Sequence, residues 1–95
     1  MKKYEIWQVT KDKTREFGFM SLSCILELDG KVDRNNYEKV YEGEFESGDL
    51  EELFTMFNLN HPVDFRGHSM STSDVVVLEG QPYYCDSFGW EKIEW

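Results

Sequence analysis

Residues 74–86, DVVVLEGQPYYCD, decide the fold of this chain because they predict a β-hairpin. Two runs rich in β-branched and aromatic residues flank residues 79–82, which we interpret as a turn of about four residues. Pro82 has no N–H group for a ladder hydrogen bond, so we expect it at the start of a strand or on a sheet edge. A β-sheet is therefore the centre of the predicted fold.

Three further segments have the composition of strands. Residues 4–9 combine β-branched and aromatic side chains, and Ile93 and Trp95 fit a last short strand. Residues 37–45 alternate, so that one side of the predicted strand carries Tyr37, Lys39 and Tyr41 and the other carries Val40, Glu42 and Glu44. This second side directs its acids to water.

Helices are predicted at two places. Within residues 49–58, helical spacing places four apolar residues on one side of a helix, namely Leu50, Leu53, Phe54 and Phe57. Asp49 and Glu52 resemble a capping box at the start of this helix. Residues 17–28 are compatible with a short helix or with a strand. The helical alternative has its apolar spacing at Phe19, Leu22, Ile25 and Leu26, a cap at Ser21 or Ser23, and an end at Asp29 and Gly30.

These elements predict an α+β fold in a single domain spanning residues 1–95. We expect a small antiparallel sheet of about four to five short strands, with one or two short helices packed on one face. The chain has 95 residues, an aromatic share of 16% and no alanine, which favours sheet over helix.

The charge of the chain is strongly acidic and unevenly distributed. The formal net charge is −9, and residues 40–65 contain acids but no Lys or Arg. Such a field repels phosphate, so we expect no direct nucleic-acid binding and no membrane surface as partner, but an unidentified protein with a basic surface. The candidate acidic interaction face consists of Glu42, Glu44, Glu46, Asp49, Glu51 and Glu52.

The two cysteines and the N-terminal segment indicate a cytoplasmic protein. Cys24 and Cys85 have no CxxC or Cys/His metal-ligand spacing, and we interpret both as reduced and structural. The first residues are basic, but polar side chains from Gln8 onward interrupt any apolar signal region. No stretch approaches the about 18 apolar residues of a membrane span.

The polar segment 61–74, HPVDFRGHSMSTSD, has the most chemically active composition. A structural interpretation is favoured: Gly67 tolerates a positive φ, the hydroxyls and Asp64 satisfy loop backbone groups, Asp74 ends the loop, and His68 is an interior hydrogen-bonding group. The candidate residues of the segment are His61, Asp64, Arg66, Gly67, His68, Ser69, Ser71, Ser73 and Asp74.

Catalytic and metal-binding interpretations of this segment compete with the structural one. A serine hydrolase or nuclease could use His68 with Asp64, Asp74 or Ser69, but no GxSxG motif accompanies them. The spacing of His61 and His68 fits neither a helical metal site nor a zinc finger. We therefore predict no catalytic residue, no metal and no cofactor.

Taken as a whole, residues 58–89 resemble the YodL-like domain found in Firmicutes and their mobile elements. The matching residues are Asn58, His61, Pro62, Asp64, Phe65, Gly67, His68, Ser69, Ser71, Ser73, Asp74, Val75–Leu78, Tyr83, Tyr84, Asp86, Ser87, Phe88 and Gly89. The resemblance implies a small stand-alone protein or a module of conjugative transposons and phages, and it transfers no enzymatic activity.

Three functional hypotheses follow. The first is a non-enzymatic acidic protein-interaction module of a mobile genetic element or its host. The second is an anti-restriction DNA mimic that inhibits a DNA-binding enzyme, with the carboxylates of residues 42–52 in the place of phosphates. The third is the small hydrolase or nuclease that uses His68.

Overall fold

A computed structural model of the chain describes residues 1–46, 49–59, 64–65, 67, 70–87 and 89–95, and describes Glu16 in its backbone only. Within these residues five antiparallel strands form one sheet in the order β2-β1-β3-β4-β5. The strands are β1 (Lys2–Val9), β2 (Tyr37–Phe45), β3 (Val75–Leu78), β4 (Gln81–Asp86) and β5 (Gly89–Lys92). The helices are α1 (Thr14–Phe17), α2 (Leu22–Asp29) and α3 (Leu50–Leu59), with 3₁₀ turns at Lys11–Lys13 and Arg34–Asn36.

The predicted hairpin is present with a tighter turn than expected. Gln81 pairs with Leu78 and Pro82 pairs with Val77, so both residues belong to β4. The turn is Glu79 and Gly80, with φ of 49° and 84°. Two positive φ values give the twist that matches two adjacent strands, which is why a two-residue turn is sufficient. Pro82 lies at the start of its strand, as predicted.

The α+β class and the antiparallel sheet are confirmed, but the helices cover both faces of the sheet instead of one. Val76 packs in a cluster with Leu53 and Phe57 of α3, whereas its neighbour Val75 packs in a second cluster with Ile25 of α2. Adjacent residues of a strand point to opposite faces. Because β3 has both sides buried, its four apolar residues form an unbroken run instead of an alternating one.

A β-bulge at Val40 corrects the predicted alternation of β2. Ile6 pairs with Tyr41 and Trp7 pairs with Lys39, so Val40 is an extra residue between them. Such an insertion reverses the side to which the following residues point. Tyr37 therefore packs in the α2 cluster and Tyr41 against the α3 cluster, although the spacing of four residues predicted one side for both.

The helix α2 begins and ends as the sequence indicates, and α3 begins after Asp49 but extends to Leu59, one residue beyond the predicted end. The Ser21 side chain accepts a hydrogen bond from the Cys24 N–H, and α2 stops at Gly30 with φ of 78°. The Asp49 carboxylate accepts from the Glu51 N–H at 2.9 Å at the start of α3. Phe19, in contrast, precedes α2 and is 60% exposed, so it is not part of the buried stripe. No helix among the described residues is both long enough and apolar enough to cross a membrane.

Candidate functional site

Asp74 is the centre of the polar segment. It directly precedes β3, and its side chain is fully buried. Its Oδ2 atom accepts hydrogen bonds from Gln8 Nε2 and from the Ser71 N–H, each at 3.0 Å. Its backbone carbonyl accepts from the Cys85 N–H at 2.8 Å. Asp74 thus joins β1, β4 and the polar segment, and the prediction that it ends the loop is confirmed.

Gln8 is a buried hydrogen-bond partner of Asp74 that was not predicted from the sequence. It lies on the same side of β1 as Tyr4 and Ile6 and is almost completely buried. A single polar residue on the apolar side of a strand needs a buried partner, and here Asp74 supplies it. The signal that could have identified Gln8 was this break in the apolar alternation of residues 4, 6 and 8.

Gly67 is required by close packing. A Cβ atom added at Gly67 would lie 2.4 Å from Gln8 Oε1 and 3.0 Å from the Phe65 ring. Positive φ occurs instead at Ser73, with a value of 89°. Gly67 therefore lies directly against the buried Gln8 amide, which would have to shift to admit a larger residue.

Ser73 has a structural position. It is 3% exposed, its Oγ accepts from the Phe19 N–H at 2.9 Å, and its carbonyl accepts from the Tyr37 hydroxyl at 2.6 Å. The Tyr84 hydroxyl donates at 2.6 Å to the carbonyl of Met20, the residue after Phe19. These bonds attach residues 19–20, just before α2, to the sheet. The Ser73 hydroxyl and carbonyl thus both accept hydrogen bonds that hold the fold together.

The other described candidates of the segment do not surround Asp74 as a catalytic group. Asp64 is exposed, and its carboxylate adds to the effect of burial in raising the pKa of Tyr41. The Ser71 hydroxyl is buried and has no hydrogen-bond partner among the described residues. One predicted acid is thus at the surface and the other is inside the protein.

Four predicted residues, His61, Arg66, His68 and Ser69, lie outside the described residues. The proposed His68 triad, its structural alternative and the two-histidine metal interpretation are therefore untested predictions. Among the residues that are described, no group of three or more His, Cys, Asp or Glu side chains is arranged to hold a metal ion.

Three ionisable side chains near Asp74 are held in their neutral forms. Burial raises the pKa of the Cys85 thiol to about 12, and the negative charge of Asp74 adds to this effect. Burial also raises the pKa of Tyr37 and of Tyr84 well above the ordinary range, with smaller contributions from nearby acids. A thiol in this state is a poor nucleophile at neutral pH. Cys85 is free and buried, whereas Cys24, for which a structural role was also predicted, is exposed on α2.

The six residues of the predicted acidic face are all exposed, but they do not form one face. Tyr41 and Phe45 pack against the α3 cluster, so the alternating Glu42 and Glu44 point to the opposite side of the sheet. Glu51 and Glu52 lie on α3 itself. The sheet separates these pairs, and Glu46 and Asp49 belong to the connection between them.

The sheet face that bears Glu42 and Glu44 becomes progressively uncovered toward one end. Along β1, Val9 is buried, Trp7 and Glu5 are half-buried, and Lys3 is exposed. At this open end Glu5 lies directly opposite Glu42 in the β1–β2 register, and Lys3 lies opposite Glu44. Like charges directly opposite each other destabilise a sheet. Lys39 offsets part of this repulsion through an ion pair of 3.2 Å with Glu42.

Comparison with models of known protein families matches residues 3–95 to the YodL-like domain, which is nearly the whole chain. Neither a search of curated proteins nor a search of solved structures found a significant match.

Proposed function

We propose that this chain, which belongs to the YodL-like domain family, is a non-enzymatic protein-interaction module that binds a partner with a basic surface. The observation that carries the proposal is the open sheet face with Glu5, Glu42 and Glu44. There the fold brings Glu5 and Glu42 together as a like-charged pair although their repulsion costs stability. A basic partner would remove this repulsion on binding.

The charges of the rest of the chain support this choice of surface. The net charge of −9 attracts a basic protein from a distance and accelerates its association. On the α3 side, Glu51 and Glu52 have a structural explanation, because acids in the first turn of a helix interact favourably with its dipole. Glu5 accepts from the Trp7 indole N–H and Glu42 forms an ion pair with Lys39, but the two carboxylates remain directly opposite each other at the open end of the face. This position favours a role in binding.

A charge-matched pair of double variants tests this proposal. Glu42→Gln with Glu44→Gln and Glu51→Gln with Glu52→Gln each remove two negative charges, from opposite sides of the sheet. The immobilised chain and both variants are used for affinity capture from a bacterial lysate at low and high ionic strength. We expect a partner that the wild type and the α3 variant retain at low salt, that the β2 variant loses, and that high salt releases.

Two results would contradict the proposal. Loss of the partner from the α3 variant alone would assign the contact to the other side of the sheet. Equal retention by all three proteins at both salt concentrations would show that carboxylates do not determine the binding.

The resemblance to modules of conjugative transposons and phages supports a role in a mobile genetic element or its host. Within this proposal, inhibition of a restriction enzyme or another DNA enzyme by DNA mimicry is the narrower candidate, and the exposure of all six carboxylates of residues 42–52 is the observation in its favour. A DNA fragment that displaces the partner from the chain supports mimicry, and simultaneous binding of both contradicts it.

The small hydrolase or nuclease is a weaker candidate on the described residues. Asp74 is fully buried and accepts hydrogen bonds from Gln8 and Ser71, and Ser73 is almost as buried. These two groups serve the fold, so an enzyme would have to use His68 with exposed Asp64 or with Ser69. The variant His68→Ala distinguishes the alternatives, since a structural role lowers thermal stability and a catalytic role abolishes an activity in a stable protein.

A further inference from the structure

A groove of about 380 Å³ lies on the same sheet face as Glu5, between β1 and the residues that follow β5. Trp7 and Trp95 form its aromatic side, Gln81 and Pro82 belong to its lining, and Glu5 and Glu94 bring carboxylates to it. Its carboxylate Glu5 also lines the neighbouring depression that contains Glu42 and Glu44. The groove is therefore a continuation of the open acidic face.

Contacts within the chain hold the walls of this groove in place. The rings of Trp7 and Trp95 meet edge to face with centroids 5.5 Å apart, and Tyr37 packs against Trp95 at 5.1 Å. The Trp7 indole N–H donates to Glu5 Oε1 at 2.9 Å. Gln81 Nε2 donates to the Ile93 carbonyl at 3.1 Å and so ties the last residues to β4. A preformed site of this kind loses little conformational entropy on binding.

The chain itself shows which chemical group suits the groove. The guanidinium carbon of Arg34 lies 4.9 Å from the centroid of the Trp7 ring, within the range of a cation–π contact. A planar guanidinium stacks on an aromatic ring and donates to carboxylates at its edge. Trp7 provides such a ring, and Glu5 and Glu94 provide such carboxylates. Arg34 is exposed, so its guanidinium can be exchanged for another one.

We infer that the groove receives an arginine side chain of the partner protein, which stacks on Trp7 between Glu5 and Glu94 and displaces Arg34. This inference rests on the proposed function and specifies the residue type by which the partner is recognised. Arginine is favoured over lysine because an ammonium group lacks the planar stacking surface and is more strongly hydrated.

Titration with a short peptide, acetyl-Gly-Arg-Gly-amide, tests the groove without any natural partner. The indole N–H signals of the three tryptophans are followed by two-dimensional NMR of the ¹⁵N-labelled chain. We expect saturable shifts of the Trp7 and Trp95 signals and a nearly constant Trp90 signal, because Trp90 packs with Phe54 of α3 on the other face. The lysine peptide is expected to bind more weakly. Shifts of Trp90 equal to those of Trp7, or no saturable shift of Trp7, would overturn the inference.

Charge-matched variants separate the ring contact from the net charge. Arg34→Ala and Lys31→Ala each remove one positive charge, but only the first uncovers the Trp7 ring. We expect Arg34→Ala to bind the arginine peptide roughly two- to fivefold more tightly than Lys31→Ala, the worth of one exposed cation–π contact. Equal affinities would show that Arg34 does not compete for the ring.

Loss of a carboxylate gives the complementary measurement. Glu5→Gln is expected to weaken peptide binding, whereas Glu51→Gln, on the other side of the sheet, is expected to leave it unchanged. Equal weakening by the two variants would indicate attraction by net charge alone and would overturn the inference that the groove binds arginine. The peptide titration uses no lysate, so its failure would reject the arginine groove while capture through Glu42 and Glu44 remained a separate result.

Discussion

The substitution Asp74→Ala should reveal how much of the stability depends on the polar segment. It removes the acceptor of two hydrogen bonds of 3.0 Å, a buried one from Gln8 Nε2 and a partly buried one from the Ser71 N–H. Bonds to a charged group are worth about 1.5–3 kcal/mol each, and the buried Gln8 amide and the partly buried Ser71 N–H would both lose this acceptor. Because the two bonds share one oxygen, we expect a combined loss of about 3–5 kcal/mol in the free energy of unfolding.

The loss is measured by urea unfolding followed by tryptophan fluorescence and circular dichroism, with the midpoint temperature as a second readout. For a domain of this size, about 3 kcal/mol corresponds to a decrease of roughly 12 °C or more in the melting temperature. Asp74→Asn retains an oxygen acceptor, so a smaller loss is expected. Asp64→Ala is the control, since this exposed carboxylate of the same segment should change the free energy by less than about 1 kcal/mol.

A result of less than about 1 kcal/mol for Asp74→Ala would refute the structural role of this carboxylate. If the protein remained stable without Asp74, a catalytic or binding role for this residue would be favoured again, because a buried acid that is dispensable for folding needs another explanation.

Three further predictions concern packing, thiol reactivity and alkaline pH. Gly67→Ala should destabilise the chain by about 1–3 kcal/mol, because its Cβ would collide with Gln8 Oε1. The loss should be smaller in a Gln8→Ala background, and thermal unfolding of the single and double variants measures the difference. A thiol reagent at neutral pH should modify exposed Cys24 rapidly and Cys85 only after denaturation, since burial raises the pKa of Cys85 to about 12; rapid modification of both in the native protein would contradict this. Burial raises the pKa of Tyr4 to about 12 from 10.0. Between these pH values the unfolded chain loses the Tyr4 proton that the folded chain retains, so the free energy of unfolding should decrease as the pH rises. Tyr4→Phe should lessen this decrease.

Much of the fold was accessible from local patterns. The hairpin, the strand at residues 4–9 and the α3 stripe were predicted because each depends on a period of two or on helical spacing within one element. The placement of helices on both faces was not, since it depends on which sides of β3 are covered after folding. A run of four apolar residues is compatible with either arrangement.

The candidate site shows the same division between local and long-range information. The role of Asp74 at the end of the loop follows from its position before Val75, but its partner Gln8 lies 66 residues away in the sequence. The bulge at Val40 depends on pairing with β1 and leaves no signal in the alternation of β2. The groove also escaped prediction, because Trp7, Arg34 and Trp95 meet only through the tertiary fold.

The bulge at Val40 also determines how the outer edge of the sheet meets other copies of the chain. β2 is the outermost strand, and an edge strand of nine residues offers unpaired backbone groups on which a second molecule can add a strand and begin an aggregate. An extra residue interrupts the regular spacing of those groups, and the exposed Glu38, Glu42 and Glu44 repel an identical strand. We therefore expect the irregularity that sends Tyr37 and Tyr41 to different clusters also to oppose self-assembly of the chain at high concentration.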